Sequence, residues 1–164
     1  MPLISNPFEA DADRAQIWRM LVERDIAAFV AGDWALVEPD FIATEFLGVD
    51  ARKSADLADW GIGFPTLAAY RDEWLRQSAA TAATVFAEDV TAAIHRATRL
   101  ERIDIQGDRA TALKRFDGAI AKADGGAEVL HWQTLYFCRK LADDWRLTGF
   151  VGYMPYVRLV ADGR

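Results

Sequence analysis

Between Asp11 and Ala31 the apolar positions recur with helical spacing. Ile17, Trp18, Leu21, Val22, Ala28 and Phe29 fall on one broad arc at 100° per residue. Asp11 or Asp13 can cap this helix, and Gly32-Asp33 ends it at a residue suited to the left-handed conformation before a short second helix reaching Pro39-Asp40. "FIATEFLGVDA" then reads as a short strand. "RKSADLADWGIGFPT" reads as a loop in which Trp60, Ile62 and Phe64 alternate well enough for a brief second strand. Thr66 can cap the next helix, "LAAYRDEWLRQSAATAATVF", which carries Leu67, Tyr70, Trp74 and Leu75, and the helical half is expected to end near Asp89.

From about Ala92 the pattern changes to long alternating runs separated by turn signals at Gly107-Asp108, Asp124 to Gly126 and Asp143-Asp144. These predict antiparallel strands over roughly 92–106, 109–121, 127–141 and 145–154, long enough to require a bent and twisted sheet. Helices first and a strand meander later define an α+β domain, with the N-terminal helices packed on one side of a strongly curved, mainly antiparallel sheet. The expected division is a tail over 1–12, one domain over 13–157 and a tail over 158–164. In "GFVGYMPY", Gly149 and Gly152 permit close backbone approach or a bulge where the last strand bends, and the chain after Val157 is expected to fray.

Composition narrows the partners. With 164 residues, 52% of them hydrophobic, one domain can bury a sizeable core. Nineteen basic against 25 acidic residues give a net charge of −6, the wrong sign for neutralising phosphates, so no nucleic acid is expected. No stretch approaches the roughly 20 apolar residues of a membrane helix. The single cysteine, Cys138, and an N-terminus without a signal-like apolar run point to the cytoplasm. There is no HExxH, paired-cysteine spacing, phosphate loop or GxSxG elbow, so neither a metal nor another cofactor is expected.

The order of elements, with "DIAAFVAGDW", "PDF", "EFLGVDA", "YRDEWL" and "WRLTGFVGYMPY" in sequence, resembles the nuclear transport factor 2-like superfamily over roughly residues 13–155. The resemblance implies a cone-shaped fold with an internal cavity between curled sheet and helices. Its members include ketosteroid isomerase, scytalone dehydratase, limonene epoxide hydrolase, polyketide cyclases and binding or scaffolding domains. Many pair through their sheets, which agrees with a homodimer that covers the second apolar face of 129–138. In ketosteroid isomerase a tyrosine that donates to the oxyanion sits eight residues before the aspartate of a "GD" pair. Here that position is Asp25, a departure that argues against that reaction. The isomerase's base aligns near Asp50 without a gap and at Glu45 with one; the two remain alternatives.

Asp25 is conspicuous without any resemblance, because it lies near the centre of the apolar arc, flanked in projection by Arg14. A carboxylate aimed inward needs a partner or a raised pKa, which suits either a structural ion pair with arginine or an acid-base group in a pocket. On the strand "EVLHWQTLYFCRK", His131 and Gln133 share a face with Val129, Leu135 and Phe137, while Trp132, Tyr136 and Cys138 share the other. The polar pair is expected to turn inward, so that His131 meets Asp25 across the cavity as a catalytic pair and Trp132, Tyr136 and Cys138 face the dimer partner. Arg14, Glu45, Asp50, Trp60, Tyr70 and Gln133 are the candidate substrate-binding residues, whereas His95 reads as structural and Cys138 as no nucleophile. Two functions follow. One is a cofactor-free lyase, isomerase or cyclase acting on a small, largely apolar molecule; the other is a non-catalytic module that binds a small molecule or a protein.

Overall fold

The computed structural model describes residues 5–156. The first helical run begins at α1 (Ala12–Trp18), passes through a π-helical segment at Arg19–Arg24 and continues as α2 (Asp25–Ala31). Asp11 caps it by accepting the Arg14 amide at 3.1 Å, and Gly32 ends it at φ 68°, a conformation that costs glycine little. Three short 3-10 turns lead to β1 (Leu47–Asp50): those at Trp34–Leu36 and Glu38–Asp40 stand where one short helix was expected, and the one at Ala43–Glu45 delays the strand expected from Phe41. β2 (Gly61–Phe64) follows, then α3 (Leu67–Ala83), which Thr66 caps through the Ala69 amide.

A fourth helix, α4 (Val90–Ala97), replaces the expected start of the first long strand. The reason is local. Asp89 accepts the Ala92 amide at 2.8 Å, and Ala93, Ile94 and Ala97 then fall at helical spacing and are buried. The strand β3 therefore begins only at Thr98 and runs to Gln106. β4 (Arg109–Ala121), β5 (Ala127–Leu141) and β6 (Asp144–Met154) complete the meander at the expected turns.

All six strands form one mixed sheet in the order β2-β1-β6-β5-β4-β3, with β1 parallel to β6 and the other neighbours antiparallel. The helices pack on one face, and the sheet curls around them without closing. The register shifts between Phe137 and Cys138, opposite Gly149. At Gly149 (φ 153°) the backbone lies so close to the Leu47 carbonyl that a Cβ has no room, which is how the last strand bends and still pairs with β1. The core between helices and sheet is rich in aromatic rings; Tyr70, for example, meets Phe150 edge-on at 4.8 Å. The boundary expected at 157 and the fraying expected beyond it lie outside the described residues.

Candidate functional site

The inward rows of the sheet follow from parity. On β4 they are Ala110, Ala112, Lys114 and Ile120, all buried, with Phe116 in the same row. The register sets Ala112 beside Tyr136, Lys114 beside Thr134 and Phe116 beside Trp132, so the inward row of β5 is the aromatic one. This reverses the expected orientation of β5. His131 and Gln133 lie on the outer face, while Trp132, Tyr136 and Cys138 face the helices. Side-chain parity is as expected and the face is the opposite one: burying Leu130, Trp132, Tyr136 and Cys138 removes more apolar surface from water than burying Val129, Leu135 and Phe137, and it leaves His131 exposed and lets the Gln133 amide donate to Pro155.

Between this inward row and the helices lies a cavity of about 390 Å³. Its walls are largely aromatic, with Phe29, Tyr70, Trp74, Phe116, Trp132 and Phe150 among them. Asp25 enters from the first turn of α2. Its Oδ2 accepts the Lys114 ammonium at 2.9 Å, and its Oδ1 lies 3.4 Å from the Trp74 indole nitrogen. Lys114 is fully buried, whereas the Asp25 side chain retains 31% exposure on the cavity side. Lys114 also donates to the Leu21 carbonyl. That carbonyl lies inside the π-helical segment, and the Asp25 amide bonds to Val22 instead, so Leu21 lacks the amide donor it would have in a regular α-helix. One ammonium thus satisfies a carboxylate and a helix carbonyl together, the condition under which a buried charge is tolerated.

Tyr70 and Tyr136 also line the cavity, and neither hydroxyl has a hydrogen-bond partner among the described residues. Burial raises the pKa of both phenols well above the ordinary value, with neighbouring Tyr136 and Asp25 adding to the effect at Tyr70 and Asp25 adding at Tyr136. Both are therefore neutral donors near pH 7. The arrangement presents one carboxylate acceptor and two phenol donors to a space whose aromatic walls alternate with polar side chains, Lys53, Gln77 and Thr134 among them.

Of the residues singled out from the sequence, Asp25 and Tyr70 line this cavity together. His131 does not: its Nδ1 lies 3.3 Å from Asp117 and its ring stacks on Tyr156 at 4.4 Å, on the outer face. Gln133 donates to the Pro155 carbonyl at 3.0 Å. Arg14 pairs with Asp11 and donates to the Ile103 carbonyl, so the arginine partner expected for Asp25 is replaced by Lys114. Glu45 pairs with Arg139 outside the cavity, and the Trp60 indole donates to Ser54 within its own loop. Asp50 lines a shallower outer depression and accepts the Arg52 amide at 2.8 Å. Sequence reasoning missed Lys114, although a lysine in the alternating row Ala110, Ala112, Lys114, Phe116 carried the signal. His95 is buried and Cys138 is a buried free thiol whose pKa burial pushes up to about 12, in keeping with structural roles.

This geometry, helices laid over a curled mixed sheet with a cavity between them, is the nuclear transport factor 2-like fold. The chain is similar to a conserved protein from Planctomyces limnophilus (TM-score 0.56, 14% identity, covering 87% of this chain and 95% of that one). It is likewise similar to a nuclear transport factor 2-like superfamily protein from Salmonella enterica serovar Typhimurium (0.54, 15%, 87% and 92%) and to an NTF2-like protein of unknown function from Methylobacillus flagellatus (0.54, 14%, 86% and 90%). No family model and no curated protein matches the sequence. At these identities the likeness establishes the fold alone. No helix among the described residues is long and apolar enough to cross a membrane.

Proposed function

We propose that the chain binds a small, largely apolar molecule in the cavity, its polar end engaged by Asp25, Tyr70 and Tyr136. The observation that carries this reading is the pairing of aromatic walls with three polar groups that converge on one space. The two phenols lack protein partners among the described residues, and a ligand carbonyl or hydroxyl would supply them. Calorimetric titration with neutral bicyclic aromatics such as 2-naphthol tests it. Binding that is lost when Ala80 on the cavity wall is changed to tryptophan supports the reading, and binding of none of a panel of such compounds by the folded protein refutes it.

Asp25 favours a second step on the same site. A carboxylate whose position is held by Lys114 and whose free edge faces the cavity has the placement of a general base, and a neutral phenol beside it has the placement of a donor to developing oxyanion charge. Cofactor-free proton transfer next to a carbonyl, as in a lyase, isomerase or cyclase, is the reaction class this set serves. The site then works without His131. We further propose that a single domain over 13–157 acts as a cytoplasmic homodimer. The outer face exposes Val129 and Phe137 beside Leu113, Leu135 and Val151, an apolar surface that a second copy would cover. The buried free thiol suits a reducing compartment.

A further inference from the structure

Beside the cavity lies an outer depression, and the two share the walls Lys53, Arg76, Gln77 and Tyr153. The charges in this vestibule are unequal. Arg52, Lys53 and Arg76 face Asp50 and Glu73. Glu73 is taken up by a two-point pair with Arg76 and by the Gln77 amide, and Asp50 is engaged by the Arg52 backbone amide. Among the described residues neither the Arg52 nor the Lys53 side chain forms an ion pair. The Lys53 ammonium instead stands 4.9 Å from the centre of the Trp132 ring, directly over a wall of the cavity.

The backbone at the same place is unusual. Arg52 (φ 54°), Lys53 (φ 55°) and Tyr153 (φ 55°) all have left-handed conformations that side chains other than glycine and asparagine seldom adopt. They are joined, since the Lys53 amide donates to the Tyr153 carbonyl at 2.7 Å. Each such residue carries backbone strain that glycine or asparagine would relieve. Strain concentrated where two cations and an aromatic ring meet a cavity mouth marks a place whose side chains matter more than its backbone comfort.

Building on the proposed cavity function, we propose that the ligand is an organic carboxylate with a polar group at each end: a hydroxyl or carbonyl at the inner end on Asp25, Tyr70 and Tyr136, an aromatic or other apolar body between, and the carboxylate in the vestibule on Lys53 and Arg52. The Trp132 ring beneath Lys53 then contacts the ligand body at the point where it passes from the vestibule inward. A charge-assisted contact from two cations gives such an acid an advantage over a neutral compound of the same shape.

The test compares 6-hydroxy-2-naphthoate with 6-(hydroxymethyl)-2-naphthol, which share the inner hydroxyl and differ at the vestibule end, by isothermal titration calorimetry on the full chain and on the Arg52→Asn/Lys53→Asn variant. Asparagine removes both charges and tolerates the left-handed backbone, so the variant keeps the fold. The wild type is expected to bind the carboxylate at least about tenfold more tightly than the alcohol. The variant should lose that preference while its affinity for the alcohol stays within about twofold, and added salt should weaken only the carboxylate. Equal binding of both compounds by the wild type, or a preference that survives in the variant, overturns the carboxylate assignment and leaves the cavity reading standing. Binding of neither compound overturns both.

Discussion

Removing either member of the Asp25–Lys114 pair should destabilise the protein, and removing both should cost less than the two changes added together. Asp25→Asn leaves a fully buried ammonium without its counter-charge. Breaking a buried pair costs about 3–5 kcal/mol, and the lower end applies here because Asp25 keeps a third of its surface open and the asparagine carbonyl can still accept from Lys114. Lys114→Met keeps most of the side-chain volume but withdraws the ammonium from the Leu21 carbonyl and from a partly solvated carboxylate, which is worth about 2 kcal/mol. In the double variant no charge remains to be compensated, so the total should be about 3 kcal/mol rather than about 5, a coupling of about 2 kcal/mol. Urea unfolding followed by tryptophan fluorescence measures all four proteins. On heating, Asp25→Asn should lower the midpoint by about 6–12 °C. Costs that add to within about 0.5 kcal/mol would show that the two side chains do not share their energy, and the account of how the carboxylate is held would fail.

Other expectations follow from separate parts of the molecule. Burial, with a smaller contribution from Lys114, lowers the His95 pKa below 6.5. The unfolded chain then takes up the proton more readily, so stability should fall as pH drops below about 6.5 and level off below the folded-state value. His95→Gln should flatten that slope in urea titrations run between pH 5 and 7. Gly149→Ala should lower stability by at least about 2 kcal/mol, since the new methyl collides with the Leu47 backbone; a neutral result in thermal unfolding would contradict the close approach of β1 and β6. If the outer sheet face joins two copies, Val129→Glu/Phe137→Glu should shift sedimentation from the dimer to the monomer mass without lowering the fluorescence-detected unfolding midpoint of the monomer.

The succession of strands along the chain was legible because turn signals and alternation are local properties, and the packing of helices on one face followed from helices preceding a meander; the parallel pairing of β1 with β6 was not legible. The α4 helix was not, because its eight residues mix small and polar side chains and only the Asp89 cap and the spacing of Ala93, Ile94 and Ala97 announce it. Asp25 was visible as a carboxylate on an apolar arc, but the direction in which it points is set by the π-helical segment before it, which the regular helical spacing did not include. Its partner was missed because ion pairs across a fold depend on register. Lys114 meets Asp25 over a separation of 89 residues, through β4 pairing that no local pattern reveals. The orientation of β5 failed for a different reason: parity says which side chains travel together, but the choice of face is made by the summed apolar area of each set.

The π-helical segment explains the failed match between Arg14 and Asp25 and reaches further than that. At 100° per residue the two lie about 20° apart in projection, on one face. The wider turn at Arg19–Arg24 takes up one extra residue and rotates everything after it by about 100°, so Arg14 serves the β3 side while Asp25 serves the cavity. The first helix is therefore two rods with separate phase settings joined by a coupling. Its front half is keyed to the sheet and its rear half to the cavity, and either face can be redesigned without turning the other. A one-residue deletion within the coupling would keep every side chain of the rear half and aim all of them wrongly.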